Sequence, residues 1–284
     1  MRSGGYPKID ELKEYFSGKD DIAFAFLFGS EAKGNAGADS DIDIGIYFYP
    51  QENRLDLEDD VFFDGEDKIW NDLERLTGRE VDLVVFNRAS SSICSSAYLE
   101  GIPIIIKDHS LYLDHFLIAT DLAEEYRYFT EDFIAIKRRS KSLTPDDKSR
   151  LLRIIDFLEA ELEDSHRLTD LTKKNYLEDS SLRRNVERWI ENLVNDSIDM
   201  AKILIASGRQ SVPQTYREIL LRLDTIEQIG ESAAGELADF SRLRNILAHE
   251  YLDIRYPQIK KFLEKAPSLY GNLVNSVKEI INSK

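Results

Sequence analysis

Cysteine is almost missing from the chain. Cys94 is the only one among 284 residues, which excludes an intrachain disulfide and any cysteine-rich zinc site. No apolar run approaches the roughly 20 residues needed to span a bilayer, so no membrane association is expected. Met1 to Phe16 carries charges throughout and lacks the apolar centre of a signal peptide, which predicts a cytoplasmic protein. Internal repeats and low-complexity tracts are absent as well. Basic charge is scarce in one half only. Up to residue 145, 16 Lys and Arg stand against 29 Asp and Glu, a net charge of -13, whereas the remainder has 21 against 24, a net of -3. So acidic a first half would repel long nucleic acid rather than release its counterions. The near-neutral second half can still hold a local basic cleft.

What is present suits a folded protein, with 42% apolar and 32% charged residues. The length is enough for two domains, each burying its own core. Ile9, Leu12 and Phe16 have helical spacing, and Ile22 to Phe28 is a short apolar run that reads as a buried strand ending in a Gly29-Ser30 turn. A polar, Gly-rich segment leads to Asp41-Ile42-Asp43-Ile44, where alternation marks a second strand. Ile69, Trp70, Leu73 and Leu76 predict a helix closed by Gly78, followed by a third strand over Glu80 to Phe86. A weakly helical, Ser-rich stretch over 87–99 contains Cys94, a packed thiol with no base beside it. A short fourth strand, Ile102 to Ile106, is expected to lead out of the sheet. The first half is therefore α+β, with a mixed sheet and helices.

The chemistry gathers at Gly29-Ser30 and Asp41-Ile42-Asp43. Period two puts Asp41 and Asp43 on one strand face with Ile42 and Ile44 on the other. Two carboxylates beside a turn with open backbone N–H groups suit Mg²⁺ held against a nucleotide phosphate. Asp82 stands alone among the apolar residues of the third strand. It is either a strand-edge aspartate paired with Arg79 or Arg88, or the third carboxylate that two-metal nucleotidyl transfer requires.

Gly-Ser, ten residues, then Asp-x-Asp between two strands resembles the DNA polymerase β-like nucleotidyltransferases, in particular their minimal, MntA-like members, over residues 5 to 110. That resemblance implies ATP as substrate and Mg²⁺ as cofactor. Asp41, Asp43 and Asp82 would be the catalytic metal ligands, and Gly29 and Ser30 would bind the nucleotide. The residue after Gly-Ser is Glu31, where MntA-like proteins commonly have arginine, so Lys33 is the cation left to meet the triphosphate.

From His109 the period becomes helical, with Leu111, His115, Ile118, Leu122 and Tyr126 predicting a helix to about Arg139. Lys137-Arg-Arg-Ser-Lys141 reads as cations at its C-terminus. Ser142-Leu-Thr-Pro145 supplies a linker and a capped helix start, so the domains are 1–142 and 143–284. Arg150–Leu168, Asn185–Ser207, Tyr216–Gln228, Ala233–Tyr251 and Tyr256–Ile281 all show apolar residues at three- and four-residue spacing, which predicts an all-α bundle.

In that bundle Arg244, Asn245, His249 and Tyr251 stand close together. A lone Arg and His near a helix end are usually surface groups. The full string Leu243 to Leu252 nevertheless resembles the R-x4-6-H signature of HEPN domains, in the Arg-x4-His-x-Tyr form of HepT-like toxins. This resemblance implies a metal-independent RNase. His249 would titrate, Arg244 would steady the phosphorane charge and Asn245 would orient the phosphate. It also implies RNA as partner, tRNA among the candidates, and a homodimer through the HEPN domain. Two-gene modules of this family silence the RNase by attaching AMP to the tyrosine, so Tyr251 would be the modified residue. Two rivals stand against that reading. One resembles a kanamycin-type antibiotic nucleotidyltransferase whose helical half merely completes the substrate pocket, and the other is a catalytically silent binding module.

Overall fold

The structure, a computed structural model, describes residues 9–35, 37, 40–51, 55–139, 141–168, 170–243, 247 and 252–283. It divides into two compact units, one ending at Arg127 and the other beginning at Tyr128.

In the first unit the apolar run becomes β1 (Ile22–Phe28), buried from Ile22 through Leu27. It lies inside a four-stranded sheet ordered β3-β2-β1-β4, with β2 spanning Ile42–Phe48, β3 Val81–Val85 and β4 Ile102–Ile106. A strand with neighbours at both edges and cover on both faces reads as a continuous apolar run rather than an alternation. β1 is antiparallel to β2 and to β4, while β2 and β3 are parallel. A parallel pair needs a crossover, and α3 (Glu66–Thr77) lies in it. Gly78 ends that helix at φ 69°, its N–H donating to the Glu74 carbonyl at 2.8 Å.

One face of the sheet carries α1 (Ile9–Ser17) and α3, whose Leu12, Phe16, Ile69 and Leu73 join Ile42, Ile44 and Ile46 in one core. α4 (Ser91–Glu100) and the first turns of α5 (His109–Arg139) bring Cys94, Ala97, Tyr98 and Ile118 to a second core with Phe24, Phe26 and Tyr47. Burial pushes the Cys94 thiol well up, as befits a packed thiol. His115 is fully buried in the same layer, its Nδ1 2.8 Å from the Tyr98 hydroxyl. Burial pushes its pKa down to about 3, with the backbone at Phe86 and Asp56 opposing the shift. β4 does not lead out of the sheet but forms its edge. Pro103 pairs there with Phe26, a place where a missing N–H is tolerated.

The second unit is helical throughout the described residues. After the last turns of α5 come α6 (Pro145–Asp164), α7 (Lys173–Glu178), α8 (Ser180–Ser207), α9 (Tyr216–Leu221), α10 (Glu231–Ser241) and α11 (Leu252–Asn282). α6 starts in a full capping box. The Thr144 hydroxyl accepts the Asp147 N–H, and the Asp147 carboxylate accepts the Thr144 N–H, each at 3.1 Å. The helix expected over 216–228 stops early, α9 passing into a 3-10 turn at Arg222–Thr225. Trp189 of α8 meets Phe262 of α11 edge-on at 5.8 Å, and Phe262 meets Phe240 of α10 at 4.7 Å. Among the described residues no helix is long and apolar enough to cross a membrane.

Candidate active site

Gly29 leaves β1 at φ +68° and opens a single helical turn, α2 (Gly29–Ala32). A Cβ on Gly29 would lie 1.9 Å from Oδ2 of Asp43 and 2.6 Å from its Cγ. The Asp43 carboxylate is therefore folded onto the Gly29-Ser30 turn, close enough for the Ser30 backbone to act on its titration.

Register brings the other carboxylates in. Asp43 of β2 lies opposite Phe28 on the antiparallel side and opposite Asp82 of β3 on the parallel side. Asp41 precedes β2 and is exposed, as is Asp82, whereas Asp43 is half-buried. Burial pushes the Asp43 carboxyl up, the charges of Asp82 and Asp41 push it further, and the Ser30 backbone opposes them. Neither arginine offered as a partner for Asp82 holds it. Arg79 bonds to Glu31 and the Ser40 carbonyl, and Arg88 forks onto Glu66 at 2.7 and 2.5 Å.

Two residues along β2, Gly45 leaves room for the Phe86 ring, whose Cζ would lie 1.8 Å from a Cβ there. Phe86 in turn lies 6.1 Å from Phe28, the residue opposite Asp43. An aromatic layer thus backs the carboxylates. Neither Gly45 nor Phe86 stands out in the sequence, because the contact joins residues far apart in the chain. Lys33, expected to face a triphosphate, pairs at 2.5 Å with Glu100 of α4, both side chains being about half exposed.

Among the described residues no three His, Cys, Asp or Glu side chains close into a metal cage. A cage is not what a nucleotide-linked Mg²⁺ requires, because it is held by one or two carboxylates together with substrate phosphates and water. Asp41, Asp43 and Asp82 fit that role chemically. All three offer hard oxygen donors, and the mutual repulsion that raises Asp43 is what a divalent cation reverses.

Arg244, Asn245, His249 and Tyr251 lie outside the described residues. Leu243 and Leu247, before and between them, are both buried.

Comparison with known proteins agrees with the division of the chain. Residues 10–110 match the family model of polymerase beta nucleotidyltransferases, and residues 158–273 match that of HepT-like ribonucleases. A crystal structure of a toxin-antitoxin with AMP-PNP is similar at 17% identity, covering 45% of this chain and 96% of its own, with a TM-score of 0.37. A mutant of the toxin-antitoxin MntA-HpeT is similar at 17% identity, covering 44% of this chain and 94% of its own, with a TM-score of 0.36. No curated protein matches the chain. The chain joins a nucleotidyltransferase domain of the polymerase β family to a HepT-like ribonuclease domain.

Proposed function

We propose that the N-terminal domain transfers AMP from ATP to the Tyr251 phenol, and that this modification silences a metal-independent RNase centred on Arg244 and His249. The observation that carries the first half is the placement of Asp43, set between Asp82 on the next strand and the Gly29-Ser30 turn. The two family matches within one chain, to polymerase beta nucleotidyltransferases and to HepT-like ribonucleases, support the pairing of a transferase with its acceptor. The division we use is 1–142 for the transferase and 143–284 for the HEPN domain.

The Gly29-Ser30 turn, against which Asp43 is packed, receives the triphosphate. When bound at Asp41, Asp43 and Asp82, Mg²⁺ supplies charge neutralisation of the phosphate oxygens and of the departing pyrophosphate. The Tyr251 oxygen attacks the α-phosphorus, Asp82 assists in taking the phenolic proton, and the bond to the β-phosphate breaks as pyrophosphate leaves. In the RNase, the ribose 2′-OH is the nucleophile. His249 serves as the titrating group, Arg244 faces the charge on phosphorus and Asn245 orients the scissile phosphate. The sparse site of one copy is completed by homodimerisation through the HEPN domain. AMP on Tyr251, two residues from His249, blocks RNA by bulk and by like charge.

Intact-mass analysis of the full chain with ATP and Mg²⁺ tests the transfer. The chain gains one or more AMP units and the Tyr251→Phe chain gains none. No gain by a parent chain whose Tyr251 starts unmodified sinks the reading. For the RNase, His249→Ala loses RNA cleavage, and undiminished cleavage by that variant rules the site out.

A further inference from the structure

Arg79 holds a position that the charge pattern of the sequence does not reveal. It lies three residues before Asp82, just ahead of β3. One arm of its guanidinium bonds to the Glu31 carboxylate on α2, directly after Gly29-Ser30. The other arm donates to the carbonyl of Ser40, directly before Asp41. The Glu31 side chain is 12% exposed and that of Arg79 29%, so the bridge lies mostly out of water. Nε of Arg79 is buried and has no hydrogen-bond partner in the structure. The residue thus leaves one donor unsatisfied while both arms of its fork are held.

We infer that Arg79 is a positioning residue of the transferase site, one guanidinium that ties together the three segments carrying Gly29-Ser30, Asp41-Asp43 and Asp82. Its planar fork reaches two acceptors in fixed directions, which a lysine ammonium on a flexible stem does not reproduce. Glu31 has a role on this account. A carboxylate there anchors the fork at the turn, and it faces Arg79 rather than the nucleotide. The site's geometry depends on the bridge because Asp43 and Asp82 are register partners on adjacent strands, where like charges directly opposite are destabilising.

The inference rests on the transferase reading above, and its test separates the two. Arg88 supplies a matched control, forking onto Glu66 with side-chain exposures of 30% and 16%, three residues after β3 as Arg79 is two before it. In the full chain, Arg79→Lys is expected to slow AMP transfer about tenfold or more and to raise the half-saturating Mg²⁺ concentration about threefold, the consequence of carboxylates misplaced by a fraction of an ångström. Arg88→Lys is expected to move neither quantity by more than about twofold, although both variants keep the charge and lose a fork. Equal effects of the two substitutions on transfer and on Mg²⁺ overturn the inference. If the parent chain transfers no AMP, the transferase reading fails, and the bridge is judged by amide hydrogen exchange. Faster exchange at Ser30 to Lys33 and Ser40 to Asp43 in Arg79→Lys but not in Arg88→Lys upholds it, and unchanged exchange overturns it.

Discussion

Gly29→Ala probes the turn at which the whole site is built. Two costs apply. An alanine at φ +68° carries the left-handed backbone penalty, roughly 1–2 kcal/mol. Its Cβ also meets Oδ2 of Asp43 at 1.9 Å, where ordinary contact begins at 3.4 Å, so the carboxylate must retreat by about 1.5 Å. Gly34 and Gly78 separate these costs, since both sit at φ +69° and a methyl group added at either would meet nothing within 4 Å. Gly34→Ala and Gly78→Ala therefore lose only the backbone contribution, a fall in thermal midpoint of about 3–8 °C. Gly29→Ala loses at least as much stability. In addition its AMP transfer should fall about a hundredfold, the scale set by an ångström of misplacement at a reacting centre. Thermal melts and single-turnover transfer on the three variants provide the comparison. Transfer by Gly29→Ala as fast as by Gly34→Ala would refute the claim that Asp43 is set by its contact with the turn.

Asp43→Asn should abolish transfer yet raise the thermal midpoint, by about 0.5 kcal/mol in stability, because it removes the like-charge contact with Asp82 on the neighbouring strand; calorimetry without nucleotide or metal reads this, and a lower midpoint contradicts it. His115 is neutral in the fold because its pKa is held down near 3 by burial, whereas the unfolded chain takes up the proton below about pH 6.5. Its contribution to stability is thus complete above about pH 6.5 and is lost on acidification towards pH 3 at about 1.4 kcal/mol per pH unit. His115→Phe should flatten the pH dependence of urea unfolding between about pH 6 and 4, and an unchanged slope contradicts the assignment. Thr144→Ala should cost the second unit about 1 kcal/mol by opening the capping box at α6; a melt of the variant equal to that of the parent would show the box to be idle.

Much of this is legible in the sequence. β1 and β4 fall on the residues that the apolar runs mark, and Gly78 and Thr144-Pro145 end and begin helices where their local chemistry says they should. These signals are short-range: a period, a cap, a fixed φ. The pairing of strands is not legible in the same way. β4 reads as a strand leading out of the sheet, and only its pairing with β1 shows it to be an edge. Asp43 and Asp82 have the same local signature as many solvated aspartates, and it is the parallel β2-β3 register that makes them neighbours. Glu31 illustrates the limit most clearly. Alone it looks like a missing cation, and its partner Arg79 is 48 positions away. Charge patterning read along the chain does not see a pair closed by tertiary structure.

Electrostatics alone would keep Asp41, Asp43 and Asp82 apart, and the Asp43 carboxyl, raised first by burial, is raised further by the charges of Asp82 and Asp41. What holds them is the framework beneath: antiparallel β1-β2 and parallel β2-β3 pairing fix the backbones, Phe86 fills the space left by Gly45, and Arg79 closes the loop from outside. A fold selected only for stability has no reason to converge three like charges on a glycine turn. The convergence makes sense where a cation and an anionic substrate complete the charge balance, and that is why this end of the sheet, rather than any pocket elsewhere, is where the chemistry of the N-terminal domain should be sought.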